Sequence, residues 1–297
     1  MSNLEEFIVL ITSASDNSFK ADVIGTGFAF YREDNYTYLL TCAHVIEDVG
    51  GEENVLVNNI PAKVLAIGDI TGFDLAVLGV EKLNVPLFHL ISLSEAKNRN
   101  FRTAGHYLYG EEKKILLETV DGTFGKKRFV RQNDERVAVW NLLVDEGDRL
   151  RRGYSGAPVV DWGTGHVLGI ATNMKKDGAE GLAISIEALK KIWPQMPPAI
   201  SYFYQEKFDV ITVNNKGEEI ERRSNEAVFF TEDLGNGMVL EMVAIPGGTF
   251  LMGSPKNEVG IYGESPQHKV TLQPFYISKY PVTQNQYQAI MFENPSH

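Results

Sequence analysis

The feature that most constrains this chain is a repeated rhythm. Short apolar runs, each closed by a turn, continue to about Gly169 without a long helical period. Residues 7–11 read as a buried strand. Residues 27–31 and 36–41 flank Glu33-Asp34-Asn35 and read as a β-hairpin. Residues 62–67, 75–80, 115–120, 137–144, 158–161 and 167–171 repeat the pattern. So many short strands with so little helix predict an all-β barrel or sandwich.

The first helical period covers 185–192, with Ile186, Leu189 and Ile192 on one face and Ser185 as its expected cap. Trp193-Pro194-Gln195-Met196-Pro197-Pro198 stops it, because proline cannot continue a helix. We therefore expect one domain over 1–195, a proline-containing linker over 196–205 and a second domain over 206–297. The second begins with strands at 208–213 and 218–222 around a turn at Asn214-Asn215-Lys216-Gly217. Strands at 228–230 and 238–245 follow. Near its end Thr283 and Gln286 have the spacing of a capping box, which predicts a short helix through Met291.

Composition narrows the class. A chain of 297 residues that is 43% hydrophobic and 23% charged can bury enough apolar surface to fold. Its net charge is −11, and both parts are acidic, so nucleic acid is not an expected partner. No apolar run is long enough to span a membrane. Cys42 is the single cysteine, which excludes an intramolecular disulfide and a cysteine zinc cluster. The first seven residues are acidic and lack the basic start of a secretion signal. A cytoplasmic location is the expectation, with no metal and no cofactor.

Three motifs carry chemistry. An apolar strand runs into Thr41-Cys42-Ala43-His44 and delivers a histidine at its tip. Phe73-Asp74-Leu75 places an aspartate just before a buried strand. Arg152-Gly153-Tyr154-Ser155-Gly156 holds a serine between glycines. A serine hydroxyl is a weak nucleophile until an imidazole takes its proton, and the imidazole needs a carboxylate to fix its tautomer. A glycine two residues before the serine lets the chain aim an amide at a developing oxyanion. The order His, Asp, Ser is that of chymotrypsin, and Gly-Tyr-Ser-Gly-Ala lacks the last glycine of a nucleophile elbow.

On these motifs, with Gly25-Thr26-Gly27-Phe28, Gly169-Ile170-Ala171 and Gly181-Leu182-Ala183-Ile184, most of residues 5–193 resembles the trypsin-like serine proteases, nearest the bacterial HtrA type. The resemblance implies two six-stranded antiparallel β-barrels with a triad in the cleft between them. His44 would be the general base, Asp74 its orienting partner and Ser155 the nucleophile. The amides of Gly153 and Ser155 would form the oxyanion hole. It also implies a substrate pocket with Arg149 at its floor and Arg152, Ala171 and Asn173 around it. With Arg151 nearby, the arginines suggest a preference for acidic substrate residues. Alternatively they point to solvent or pair with Asp145, Glu146 and Asp148. Two positions depart from the family. Tyr154 stands where digestive proteases have an aspartate, which HtrA-type proteins also lack, and Ala157 replaces the usual second glycine after the serine.

Residues 238–297 carry a different signature. It includes Ile245-Pro246-Gly247-Gly248-Thr249-Phe250-Leu251-Met252-Gly253, Glu264-Ser265-Pro266-Gln267-His268 and Tyr280-Pro281-Val282-Thr283. This resembles the opening of the formylglycine-generating-enzyme (sulfatase-modifying factor) domain, a variant of the C-type lectin fold. The resemblance implies an incomplete α+β segment. The family's catalytic cysteines lie downstream of the matched part, so formylglycine chemistry is not expected. Glu264 and His268 are read as structural rather than metal-binding. The pairing of the two domains also resembles bacterial multidomain proteins, including variable proteins of diversity-generating retroelements.

The expected activity is therefore hydrolysis of a protein or peptide substrate through an acyl-enzyme. The C-terminal domain would recognise a ligand or protein partner. The alternative is an inactive protease-like scaffold in a ligand-binding protein.

Overall fold

The computed structural model describes residues 4–14, 23–93, 95–197, 200, 203–235, 238–254 and 266–294. The chain divides into two compact units, Met1–Tyr202 and Phe203–His297. Pro198 of the expected linker and Glu264 lie outside the described residues.

The N-terminal unit opens with β1 (Ile8–Ser13), β2 (Gly25–Glu33), β3 (Tyr36–Thr41), α1 (Ala43–Asp48), β4 (Val55–Val57), β5 (Ile60–Pro61), β6 (Lys63–Ile67) and β7 (Ala76–Glu81). These strands form one antiparallel sheet in the order β5-β4-β1-β2-β3-β7-β6. The count is seven rather than the six expected, because a two-residue strand at Ile60–Pro61 folds back on β4. Asp34 at φ 51° makes the expected β2–β3 turn. Phe28 is fully buried and meets the Phe88 ring edge-on at 5.5 Å.

After the short β8 (Ile91–Ser92) come β9 (Asn100–Tyr109), β10 (Lys114–Gln132), β11 (Glu135–Val144), β12 (Pro158–Asp161), β13 (Val167–Met174) and β14 (Glu180–Ser185). They close into a six-stranded barrel, β10-β11-β14-β13-β12-β9. Its centre is aromatic: Phe124 lies 5.4 Å from Phe101 and 6.2 Å from Trp140, and all three are fully buried.

Three elements differ from the sequence expectation. β9 has no clear apolar rhythm in sequence, because Arg102, Gly105 and His106 interrupt it. It forms because ten of its residues pair with β10. β10 runs on to Gln132, well past the expected 115–120, through exposed lysines and arginines. Ser185 ends β14 instead of capping a helix. α2 (Ala188–Ile192) starts later, at Glu187, without a side-chain cap.

The C-terminal unit contains β15 (Phe203–Val213), β16 (Glu219–Gly235), β17 (Met238–Ile245), β18 (Gly248–Met252), β19 (His268–Leu272), β20 (Phe275–Ser278) and α3 (Gln284–Met291). β15 and β16 form one long hairpin, and the sheet continues through β17 to β20. Phe203, Phe230 and Tyr276 pack with ring centroids 5.1–5.8 Å apart. The capping box is present: the Gln286 amide donates to Thr283 Oγ1 at 3.3 Å, and the Thr283 amide donates to Gln286 Oε1 at 2.9 Å.

Candidate active site

Sheet register brings His44 and Asp74 together. β3 and β7 are antiparallel neighbours, and Thr41 pairs with Ala76. The end of β3 and the start of β7 therefore meet. His44, three residues past Thr41, stands in the first turn of α1, and Asp74 lies two residues before β7. The Asp74 carboxylate accepts from the His44 backbone amide at 3.0 Å through Oδ1, and Oδ2 lies 2.7 Å from His44 Nδ1. One carboxylate thus fixes both the histidine's backbone and its ring. A third donor, Thr172 Oγ1 from β13, also reaches Asp74 Oδ2.

This clamp sets the electrostatics. Burial alone would lower the His44 pKa, but the hydrogen bond and charge of Asp74, with the charge of Asp48, raise it above the ordinary 6.5. Burial alone would raise Asp74, but His44 and Thr172 hold it below its ordinary value. Asp74 is therefore ionised at neutral pH, and His44 is poised to accept a proton.

Ser155 comes from the barrel. It precedes β12 in a turn tied to both layers: the Thr26 amide of β2 donates to the Ser155 carbonyl at 3.0 Å, and the Gly156 amide donates to the Ala171 carbonyl at 2.8 Å. Gly156, at φ +92°, passes so close to β2 that an added Cβ would lie 2.0 Å from the Thr26 carbonyl oxygen. Gly153 sits at φ +104°, where a Cβ would meet the His106 carbonyl oxygen at 2.4 Å. Only glycine fits such a conformation without strain. Among the described residues, neither the Gly153 nor the Ser155 amide donates to another protein group. The Ser155 hydroxyl donates to the Thr172 carbonyl at 3.1 Å, and it makes no hydrogen bond to the His44 ring.

His44, Gly153 and Ser155 line one open cleft of about 790 Å³, and Asp74 lies buried behind His44. Arg152, Ala171 and Asn173 also line the cleft. Arg149 does not. Its guanidinium is turned to the Asp148 carbonyl, and the neighbouring Leu150 takes the cleft position. Leu150 is drawn inward because its amide bonds the Gly178 carbonyl at 3.0 Å and its side chain packs on Gly181. Arg151 pairs with Glu118 at 3.1 Å and lies over the Tyr107 ring. Arg151 also lines the cleft, as expected of a charge beside Ser155, with Glu118 as its partner in place of Asp145, Glu146 or Asp148. Tyr154 is buried, and its hydroxyl donates to the Glu118 carbonyl at 2.8 Å, anchoring the serine turn.

Two contributors escaped the sequence reading. Thr26 Oγ1 donates to the Gly153 carbonyl at 2.6 Å and accepts from the His106 amide at 2.9 Å, holding the glycine's peptide. Its only sequence signal is its place between Gly25 and Gly27. Thr172 has no local signal, since its partner Asp74 is 98 residues away.

Among the described residues, Cys42, His44 and Asp74 form a group able to hold a metal ion, with donor atoms within 4.8 Å of one another. Their donors are already committed. His44 and Asp74 bond each other, and the Cys42 thiol donates to the Ala171 carbonyl at 3.2 Å, with burial pushing its pKa up. No described helix is long and apolar enough to cross a membrane.

Two family models match parts of this chain. Residues 25–170 match the model of a trypsin-like peptidase domain, and residues 230–296 match that of a sulfatase-modifying factor enzyme 1-like domain. Similar solved structures include the active form of the Rv3671c protease from M. tuberculosis, 21% identical with a TM-score of 0.47. That match covers 65% of this chain and 82% of that one. Another is the serine endoprotease from Yersinia pestis, 20% identical with a TM-score of 0.45, covering 64% and 62%. The inactive C-alpha-formylglycine-generating enzyme 2 of Bos taurus is 41% identical over 61 residues, which is 20% of this chain and a fifth of that relative's length. The chain thus joins a segment that matches trypsin-like peptidase domains to one that matches sulfatase-modifying-factor domains.

Proposed function

We propose that the N-terminal unit is a serine endopeptidase acting on protein or peptide substrates. The observation that carries this reading is the Asp74 clamp. A buried, ionised carboxylate holds both the amide and Nδ1 of a histidine whose ring lines the same cleft as Ser155.

In the proposed reaction, rotation of the Ser155 side chain away from the Thr172 carbonyl brings its hydroxyl to His44 Nε2. The imidazole takes the proton as Oγ attacks the substrate carbonyl, and Asp74 stabilises the imidazolium. The Gly153 and Ser155 amides receive the oxyanion. Collapse releases the amine, which takes the proton from His44. Water then repeats the sequence to free the acid. In this reading the C-terminal domain recognises a protein partner or ligand and directs the cleavage.

A second reading rests on the observed Ser155 rotamer: with its hydroxyl bonded to Thr172, the domain would serve as an inactive scaffold. Labelling with a fluorophosphonate probe separates the two. The peptidase reading expects one adduct, lost in Ser155→Ala and in His44→Ala while both variants stay folded. A folded wild type that takes no label refutes the peptidase and supports the scaffold.

A further inference from the structure

The far end of the β10–β11 hairpin is a place the proposed chemistry does not use. β9 pairs with β10 only as far as Thr123, and β14 pairs with β11 only from Val139 onward. Residues 128–132 and 135–138 therefore bond mainly to each other and extend beyond the barrel as a two-stranded ribbon. A register shift between Phe124 and Lys127 marks its base. Such a bulge turns a strand and re-aims its side chains.

The ribbon is rich in cations, in a chain whose net charge is −11. Lys126, Arg128, Arg131 and Arg136 are exposed, and none has a carboxylate partner among the described residues. Other cations of the unit are neutralised locally: Arg99, Arg102, Arg151, Lys175 and Lys191 pair with carboxylates.

Strand alternation sorts the ribbon into faces. One face carries Lys127, Phe129 and Arg131 from β10, with Arg136 from β11. Phe129 is 52% exposed, and the Arg136 guanidinium stacks on its ring at 4.8 Å. Lys127 approaches the same ring at 5.6 Å. Arg131 and Arg136 are direct cross-strand partners. Like charges facing each other across a strand pair are unfavourable, and an anion bound between them removes that cost.

We propose that this face is a docking surface for an acidic polypeptide segment. Arg131 and Arg136, beside the exposed Phe129 ring, offer charge to carboxylates and an apolar platform to the stem beside them. The ribbon's four residue pairs span roughly 13 Å, enough for a stretch of about four extended residues. The acidity of the rest of the chain disfavours a long polyanion, so a short acidic segment fits better than a nucleic acid or a membrane. The surface does not depend on whether the triad turns over.

Fluorescence anisotropy of the full chain with a labelled twelve-residue Glu-rich peptide tests this. The expected result is binding that weakens with salt, disappears when glutamine replaces glutamate in the peptide, and falls at least about tenfold in R131E/R136E. R131Q/R136Q must lose the peptide too. It removes the facing charges without creating new ones, so it keeps the test valid should the reversal variant misfold. Equal binding of the glutamine peptide, or wild-type affinity in a folded double variant, overturns the proposal. So does tighter binding of a labelled single-stranded oligonucleotide or of phosphatidylserine vesicles through the same arginines.

Discussion

Replacing Gly153 by alanine separates the proposed oxyanion hole from ordinary backbone strain. The new Cβ would stand 2.4 Å from the His106 carbonyl oxygen, where ordinary contact begins near 3.4 Å. One of the two backbones must move by about an ångström, because neither can rotate aside. The substitution also forces a side chain onto a residue at φ +104°, a strain of about 1–2 kcal/mol. The strain should lower the melting temperature by roughly 2–4 °C per kcal/mol in a unit of this size. The displacement should do more to catalysis. Losing one well-aimed amide costs about 10²–10³ in kcat, or ~2.7–4 kcal/mol of transition-state stabilisation. The control is Gly147→Ala. Gly147 sits at φ +99°, and an added Cβ meets nothing within 4 Å. It should lose comparable stability and no activity. The assay is the rate constant of fluorophosphonate acylation, backed by hydrolysis of a fluorogenic protein substrate and by thermal melts. A Gly153→Ala variant that keeps acylation within about threefold of wild type would refute the oxyanion assignment, and so would an equal loss of activity in Gly147→Ala.

Other outcomes follow from the same geometry. The acylation rate should rise with pH through a midpoint above 6.5, because His44 must be unprotonated to act as a base and Asp74 raises its pKa. In Asp74→Asn the rate should fall by about 10⁴, and an NMR titration of the His44 ring should move to lower pH; an unmoved titration would contradict the clamp. His106 and His166 are held down to about 4 by burial, with the charge of His89 adding at His166. Between about pH 6.5 and 4 the unfolded chain takes up protons that these folded rings refuse, so stability should fall as pH falls through that window. Urea melts of His106→Gln should show a shallower decline, and a flat wild-type profile would count against this account. Asp161 is fully buried and takes both arms of Arg99 at 2.7 Å, so Asp161→Ala should cost about 3 kcal/mol in a urea melt.

The sequence alone determined a good deal. The β character, the turn at Asp34, the C-terminal capping box and the three catalytic-type motifs were legible because each rests on neighbours in the chain. A strand's apolar rhythm, a glycine beside a serine and a threonine three residues before a glutamine are local patterns, and local chemistry reads them. The assignment of Arg149 to the substrate pocket failed because a count of residues from the serine cannot tell which of two neighbours faces inward. Contacts from Gly178 and Gly181 turn Leu150 into the cleft and leave Arg149 outside. β9 was invisible for a related reason: its residues become a strand through pairing with β10, not through their own pattern.

Only the tertiary structure decided how the parts meet. The register of β3 on β7 sets His44 against Asp74, and the closing of the barrel brings Thr172 to the same carboxylate. Thr26 reaches across to hold Gly153. The extension of β10 beyond its barrel partners turns scattered lysines and arginines into one cationic face. Residue types and short spacings belong to the sequence, because they act over a few bonds. Pairing register, barrel closure and facing charges bring together residues dozens of positions apart, and that proximity is created only when the chain folds.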